Sequence, residues 1–135
     1  MPFVHLSLFA LFVLSSAMVD EDRMEVDFDA LINIDYEEGE PLPEEVTKYD
    51  GKKVTVRGFM HNATEEGTNT FLLVTDGCGC DGEVKVFHYI EVDLGDDTIG
   101  YKPDLLTITG TFEVGEIKED GYVVSVYRLK AEDVN

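Results

Sequence analysis

Two cysteines one residue apart, Cys78 and Cys80, sit in a glycine-rich loop, DGCGCDGE, and they are the only cysteines in the chain. Three chemistries fit that spacing. A disulfide can close across one glycine, though the ring is tight, and a strained, exposed disulfide has the higher potential of an oxidant or sensor. Two thiolates can instead hold a soft or borderline metal, zinc or copper, with a histidine completing the set. In the third case the pair is a structural disulfide, or two inert thiols in an oxidising compartment. His61 stands at the end of a strand-like run beside a loop, which makes it the candidate metal ligand alongside Cys78 and Cys80. His88 falls on the Val86–Ile90 face of another such run and reads as a half-buried strand residue. The neighbouring carboxylates Asp76, Asp81 and Glu83 favour a cation, and they raise thiol pKa values, which counts against a reactive thiolate.

Other patterns carry less. The loop lacks the spacing of an EF-hand calcium site, and the acidic run at 93–97 reads as a solvated turn. Asn62-Ala63-Thr64 matches the N-glycosylation acceptor, which matters only in a eukaryotic secretory pathway. No nucleophile elbow, phosphate loop, HExxH or dinucleotide fingerprint occurs. No enzyme is expected, beyond thiol–disulfide chemistry at the CxC loop.

The elements that must position these residues are mostly strands. Residues 53–60, KVTVRGFM, alternate with Val54, Val56, Gly58 and Met60 on one face. Residues 70–75 form a second strand, and residues 84–93 a third, with Val84, Val86, His88, Ile90 and Val92 sharing a face. Residues 105–115 make the fourth, with Leu106, Ile108, Gly110, Phe112 and Val114 inward. KEDG closes a hairpin into a fifth strand at 122–129, and the tail KAEDVN is polar. VTVRG and LTITG each end an alternating run in glycine, the device that marks a bulge or sharp bend. Ahead of the strands, residues 27–33 and PEEVTKY read as short helices, with Pro43 as the first residue of the second. Together these predict a mainly β protein: a small five-stranded antiparallel OB-like barrel with one or two short N-terminal helices.

The N-terminus is of another kind. Residues 3–18, FVHLSLFALFVLSSAM, are apolar, and no Asp, Glu, Lys or Arg appears before Asp20. Ser15-Ser16-Ala17 satisfies the small-x-small cleavage rule, so residues 1–17 read as a signal peptide, 18–49 as a spacer with short helices, and 50–135 as the barrel. The positive charge that usually precedes such a segment is poor, which leaves an uncleaved N-terminal anchor as the alternative. The protein is therefore expected outside the cytoplasm, periplasmic or secreted, without stable membrane insertion once the leader is removed. Ten Lys and Arg stand against 29 Asp and Glu, a net charge of -19, which repels phosphate backbones and anionic membranes. The expected partner is a protein or a cation, and not a nucleic acid.

Three stretches carry a family likeness: DYEEGEPLPEEVTKYDGKKVTVRGFM, FLLVTDGCGC and KPDLLTITGTFEVGEIKEDGYVVSVYRLKAEDV. The chain from Val26 to Val134 resembles a bacterial group of exported proteins known as domain of unknown function 3299, most specifically in GTFEVGE and DGYVVSVYRL. The resemblance implies an exported or lipid-anchored OB-type domain and no assigned reaction. Members of that group often carry one or two adjacent cysteines after the FLLV strand, then a proline-rich stretch. Here Gly79 separates the cysteines, and DGEVKVFHY stands in place of the proline-rich segment.

Overall fold

The structure, a computed structural model, describes residues 23–76 and 84–135. The leader and the cysteine pair, with the expectations placed on them, lie outside the described residues. In chain order the elements are β1 (Met24–Glu25), α1 (Phe28–Ile32), α2 (Glu44–Thr47), β2 (Lys53–Met60), β3 (Thr70–Val74), β4 (Tyr89–Asp93), β5 (Leu106–Glu119) and β6 (Tyr122–Val134).

Alternation decides β2. Val54, Val56, Gly58 and Met60 are buried while the residues between them are not, the period-2 pattern of a strand with one face on a core. β2 pairs with β5 along Lys53 to Gly58, then with β3 at Phe59 and Met60. β3 pairs with β4, β4 with β6, and β6 with β5, so five strands close a barrel-like ring. The ring is not wholly antiparallel as expected: β4 and β6 run parallel. After β4 the chain crosses to the far side of β2 before returning through the β5–β6 hairpin, and a crossover of that kind is what parallel neighbours need. β1 adds a short sixth strand, parallel to β2.

Several boundaries depart from expectation, among them the end of β5, which runs on to Glu119 instead of residue 115. Residues 84–88 form a turn, with the His88 amide donating to the Lys85 carbonyl at 2.8 Å, and β4 begins only at Tyr89. The pair Val74–Tyr89 is the last rung of β3 with β4, so the apolar alternation upstream has no partner strand to continue against. The polar tail is strand, not loop, because Ala131, Asp133 and Val134 pair with Gly110, Thr109 and Ile108. Pro43 precedes α2 as its N-cap residue in extended conformation, one position earlier than expected.

Glycine marks two places where neighbouring strands approach closely. A Cβ on Gly110 would run into the Lys130 carbonyl oxygen, and the β5–β6 register shifts at Thr109/Gly110. A Cβ on Gly58 would lie 2.8 Å from Leu73 Cγ and 2.9 Å from the Val74 oxygen, where β2 exchanges β5 for β3. Asp120 and Gly121, at φ of 51° and 83°, make the two-residue turn that matches strand twist in a tight hairpin.

The segment ahead of the ring belongs to its core. Val26, Phe28, Leu31, Val46 and Tyr49 are buried in one cluster with Val54, Ile90, Ile108, Phe112 and Leu129. Asp27 caps α1 by accepting from the Ala30 amide, and the wholly buried Tyr127 donates its hydroxyl to the Leu31 carbonyl at 2.8 Å. Residues 36–39 are tied to β5 instead. The Tyr36 hydroxyl and the Gly39 amide both donate to Glu116 Oε1 at 2.9 Å. The Gly39 bond leads in holding the Glu116 carboxyl below its usual range, while burial and Glu116 push Tyr36 up to about 12.

A lowered carboxyl value stabilises the fold above the ordinary 4.5 and loses that contribution as pH falls through the folded value. A raised tyrosine is fully neutral below 10.0 and becomes a liability as pH climbs towards its folded value. The strut therefore holds between those limits. Protection of the Gly39 amide against hydrogen exchange is expected to drop on acidification and in Glu116→Ala. Unchanged protection in both would remove the strut.

Candidate functional site

The loop between β2 and β3, residues 61–69, is fastened at both ends. At its start the His61 amide donates to the Leu72 carbonyl at 2.8 Å, and Thr64 returns to the His61 carbonyl through its amide and its hydroxyl, at 3.1 and 2.6 Å. At its end Thr68 and Asn69 are strapped to the connector after β4, by Ile99 N to Thr68 O at 2.9 Å and Leu94 N to Asn69 O at 2.8 Å. Against this loop the outer face of β3 and β4 leaves a cleft of about 400 Å³. His61, Thr64, Glu65, Thr68, Thr70 and Glu91 supply its polar lining, and Leu72 its apolar floor. Among the described residues no Lys or Arg lines it.

The His61 ring has a defined orientation. Its Nδ1 accepts the Ala63 amide at 3.2 Å. In a neutral imidazole that leaves the proton on Nε2 as a donor. A metal-bound histidine has the opposite arrangement, donating through the nitrogen the metal does not use. Ligation through Nε2 would require the Ala63 bond to be given up. The register also separates His61 from the cysteine loop: Leu72 lies four residues before Asp76, about 13 Å of extended chain. Cys78 and Cys80 themselves are outside the described residues. Among the described residues no three His, Cys, Asp or Glu side chains gather to hold a metal ion.

His88 lies in the turn ahead of β4. Tyr89 pairs with Val74 as the last rung, and His88 lies one residue before it. Its half-buried ring meets the Phe87 ring edge-on, with centroids 4.5 Å apart. Burial, helped by Lys85, lowers its pKa and so favours the neutral imidazole. It occupies a turn and not the strand face expected for it.

A larger cleft, about 530 Å³, opens where β1 and α1 meet the middle of β2, with Arg57 and Thr75 beside Asp27 and Asp29.

The chain is similar to a DUF3299 family protein. The likeness is to the crystal structure of such a protein from Pseudomonas aeruginosa PAO1, at a TM-score of 0.48 and 20% sequence identity. It covers 66% of this chain and 63% of that one, so this chain spans less than two thirds of its relative's length. No family model matches the sequence, and no curated protein matches it.

The threonines and glutamates of the cleft escaped the sequence reading. Their signal was present: a polar loop, HNATEEGTN, runs into Thr70 and Leu72, the outward residues of β3, and β3 pairs Leu72 with Glu91. That last pairing is invisible until register is known.

Proposed function

We propose that the protein is an exported OB-like binding module whose cleft beside the 61–69 loop holds a polar ligand that is uncharged or cationic. The observation carrying this reading is the lining itself. His61, Thr70 and the carboxylates of Glu65 and Glu91 line it with no Lys or Arg among the described residues there, while the Thr64 and Thr68 hydroxyls already donate to the His61 and Thr70 carbonyls. Such a site offers donors and acceptors to hydroxyl groups or amines and repels phosphate. OB-type barrels carry ligands on this same face, against the loop joining their first two strands. Choosing the face rests on that analogy, and choosing the ligand class rests on the residues. Export rests on the apolar run at 3–18 and the small residues that end it.

Calorimetry with maltohexaose as the neutral probe and spermine as the cationic one tests the reading. Binding of one of them is expected, weakened about tenfold by His61→Ala or Glu91→Gln, the scale of one lost charged hydrogen bond. Failure of both probes, or variants that bind as the wild type does, would overturn it.

A second reading concerns metal, zinc or copper, at Cys78 and Cys80, and the observation favouring it is the place of His88. His88 stands in the turn between the cysteine-bearing segment and β4 in sequence, and burial shifts its imidazole towards the neutral form that a metal needs. It would replace His61 as third ligand. Metal content of anaerobically purified protein is then expected to fall in His88→Ala and persist in His61→Ala. The reverse order would restore His61, and metal-free wild type would end the reading.

A further inference from the structure

The β5–β6 hairpin continues well past the ring. β2 pairs with β5 only as far as Thr111, and β4 pairs with β6 only from Tyr127 onward. Beyond those points the two strands pair with each other, through register shifts at Val114/Ile117 and Ile117/Lys118 that bend the ribbon. This outer part ends in two large apolar side chains facing water, Ile117 at 40% exposure and Tyr122 at 76%. Tyr122 makes no hydrogen bond or ring contact among the described residues. The outer part is steadied by the 36–39 strut at Glu116 and by Lys118, whose Nζ lies 3.1 Å from Glu38. Its angle to the ring is thus set by polar contacts that leave the tip uncovered.

The charge around that tip has one sign. Among the described residues of the strut and the turn, Glu37, Glu38, Glu40, Glu119 and Asp120 are exposed, beside Lys118. A tyrosine face attracts guanidinium and ammonium groups, and a surrounding field of carboxylates strengthens and steers that attraction. Tyrosine is also among the residues that dominate interface energies. A second copy of this chain is a poor occupant, since each copy brings a charge of -19.

We propose that the outer end of the β5–β6 hairpin docks a basic polypeptide segment, with Tyr122 stacking on an Arg or Lys side chain and Ile117 taking an adjacent apolar one. This surface is distinct from the cleft at His61. The probe is a short peptide repeating Arg-Leu-Gly, titrated into isotopically labelled full chain at low and moderate salt. Amide shifts confined to residues 116–123 are expected, with affinity falling as salt rises. Tyr122→Ala should weaken binding about tenfold, and Glu119→Gln with Asp120→Asn should flatten the salt dependence. Tyr122 is exposed and outside the core, so these variants keep the fold, which their unperturbed core shifts would show. Absent binding, shifts centred on the His61 cleft, or a Tyr122→Ala affinity within twofold of wild type would overturn the proposal. So would a dimer, seen by sedimentation, that Tyr122→Ala dissolves, because the occupant would then be a second copy.

Discussion

Gly110→Ala is expected to cost about 3 kcal/mol, the upper end of the range for overpacking a tight site. The added methyl has nowhere to go: it would overlap the Lys130 carbonyl oxygen, with Ala131 Cα only 3.0 Å away. These are main-chain atoms of the neighbouring strand, which no rotamer change can move. Relief would require β6 to slide against β5, and that pair is the longest ladder in the ring. Gly95→Ala is the matched control. Gly95 has a left-handed φ of 65° but open space around it, so only the conformational cost of about 1–2 kcal/mol applies. Denaturant midpoints of both variants check the contrast. Near-equal losses would mean that β5 and β6 are not in this close approach.

Tyr127→Ala is expected to lose about 4 kcal/mol, typical of truncating a large buried side chain. Tyr127 is wholly buried, its ring 6.0 Å from that of Phe112, and its hydroxyl is what ties α1 to the ring. Tyr127→Phe isolates the tie. It keeps the ring and leaves the Leu31 carbonyl without that donor, a loss of about 1–2 kcal/mol near neutrality. The pH dependence separates this from simple packing loss. Burial raises the Tyr127 pKa, so its contribution is complete below the ordinary 10.0 and declines as pH rises above it, because only the unfolded chain can ionise freely. The phenylalanine variant lacks that penalty, so its deficit relative to wild type should shrink in alkali. A constant deficit would show that the phenol is not buried.

Local pattern was a good guide wherever one strand face met the core without competition. β2 was legible to the residue because its apolar and polar positions alternate cleanly and Asp50-Gly51 punctuates its start. The Asp120-Gly121 turn was equally plain, since two left-handed positions in succession favour that pair. Where pairing overrides pattern, reading failed. Residues 84–88 continue the alternation of β4 yet have no rung on β3 past Val74. Glu132 and Asp133 look like a solvated tail, but β5 extends beside them and recruits them. The parallel β4–β6 contact is a consequence of the crossover, which no local window contains.

The site divides the same way. His61 was legible as a strand-end residue beside a loop, and it lines the cleft. Its ring nitrogen bonded to Ala63 was not legible, and that bond changes which chemistry the imidazole suits. Glu91 enters the cleft only because β4 lies beside β3, far along the chain from His61.

Amide shift mapping of the full chain with maltohexaose, and separately with spermine, tests the binding role most directly. For at least one of them, perturbations clustered at residues 61–72 and at Glu91, saturating with a single affinity, are the predicted result. A flat response to both, or shifts gathered anywhere else on the ring, would contradict it.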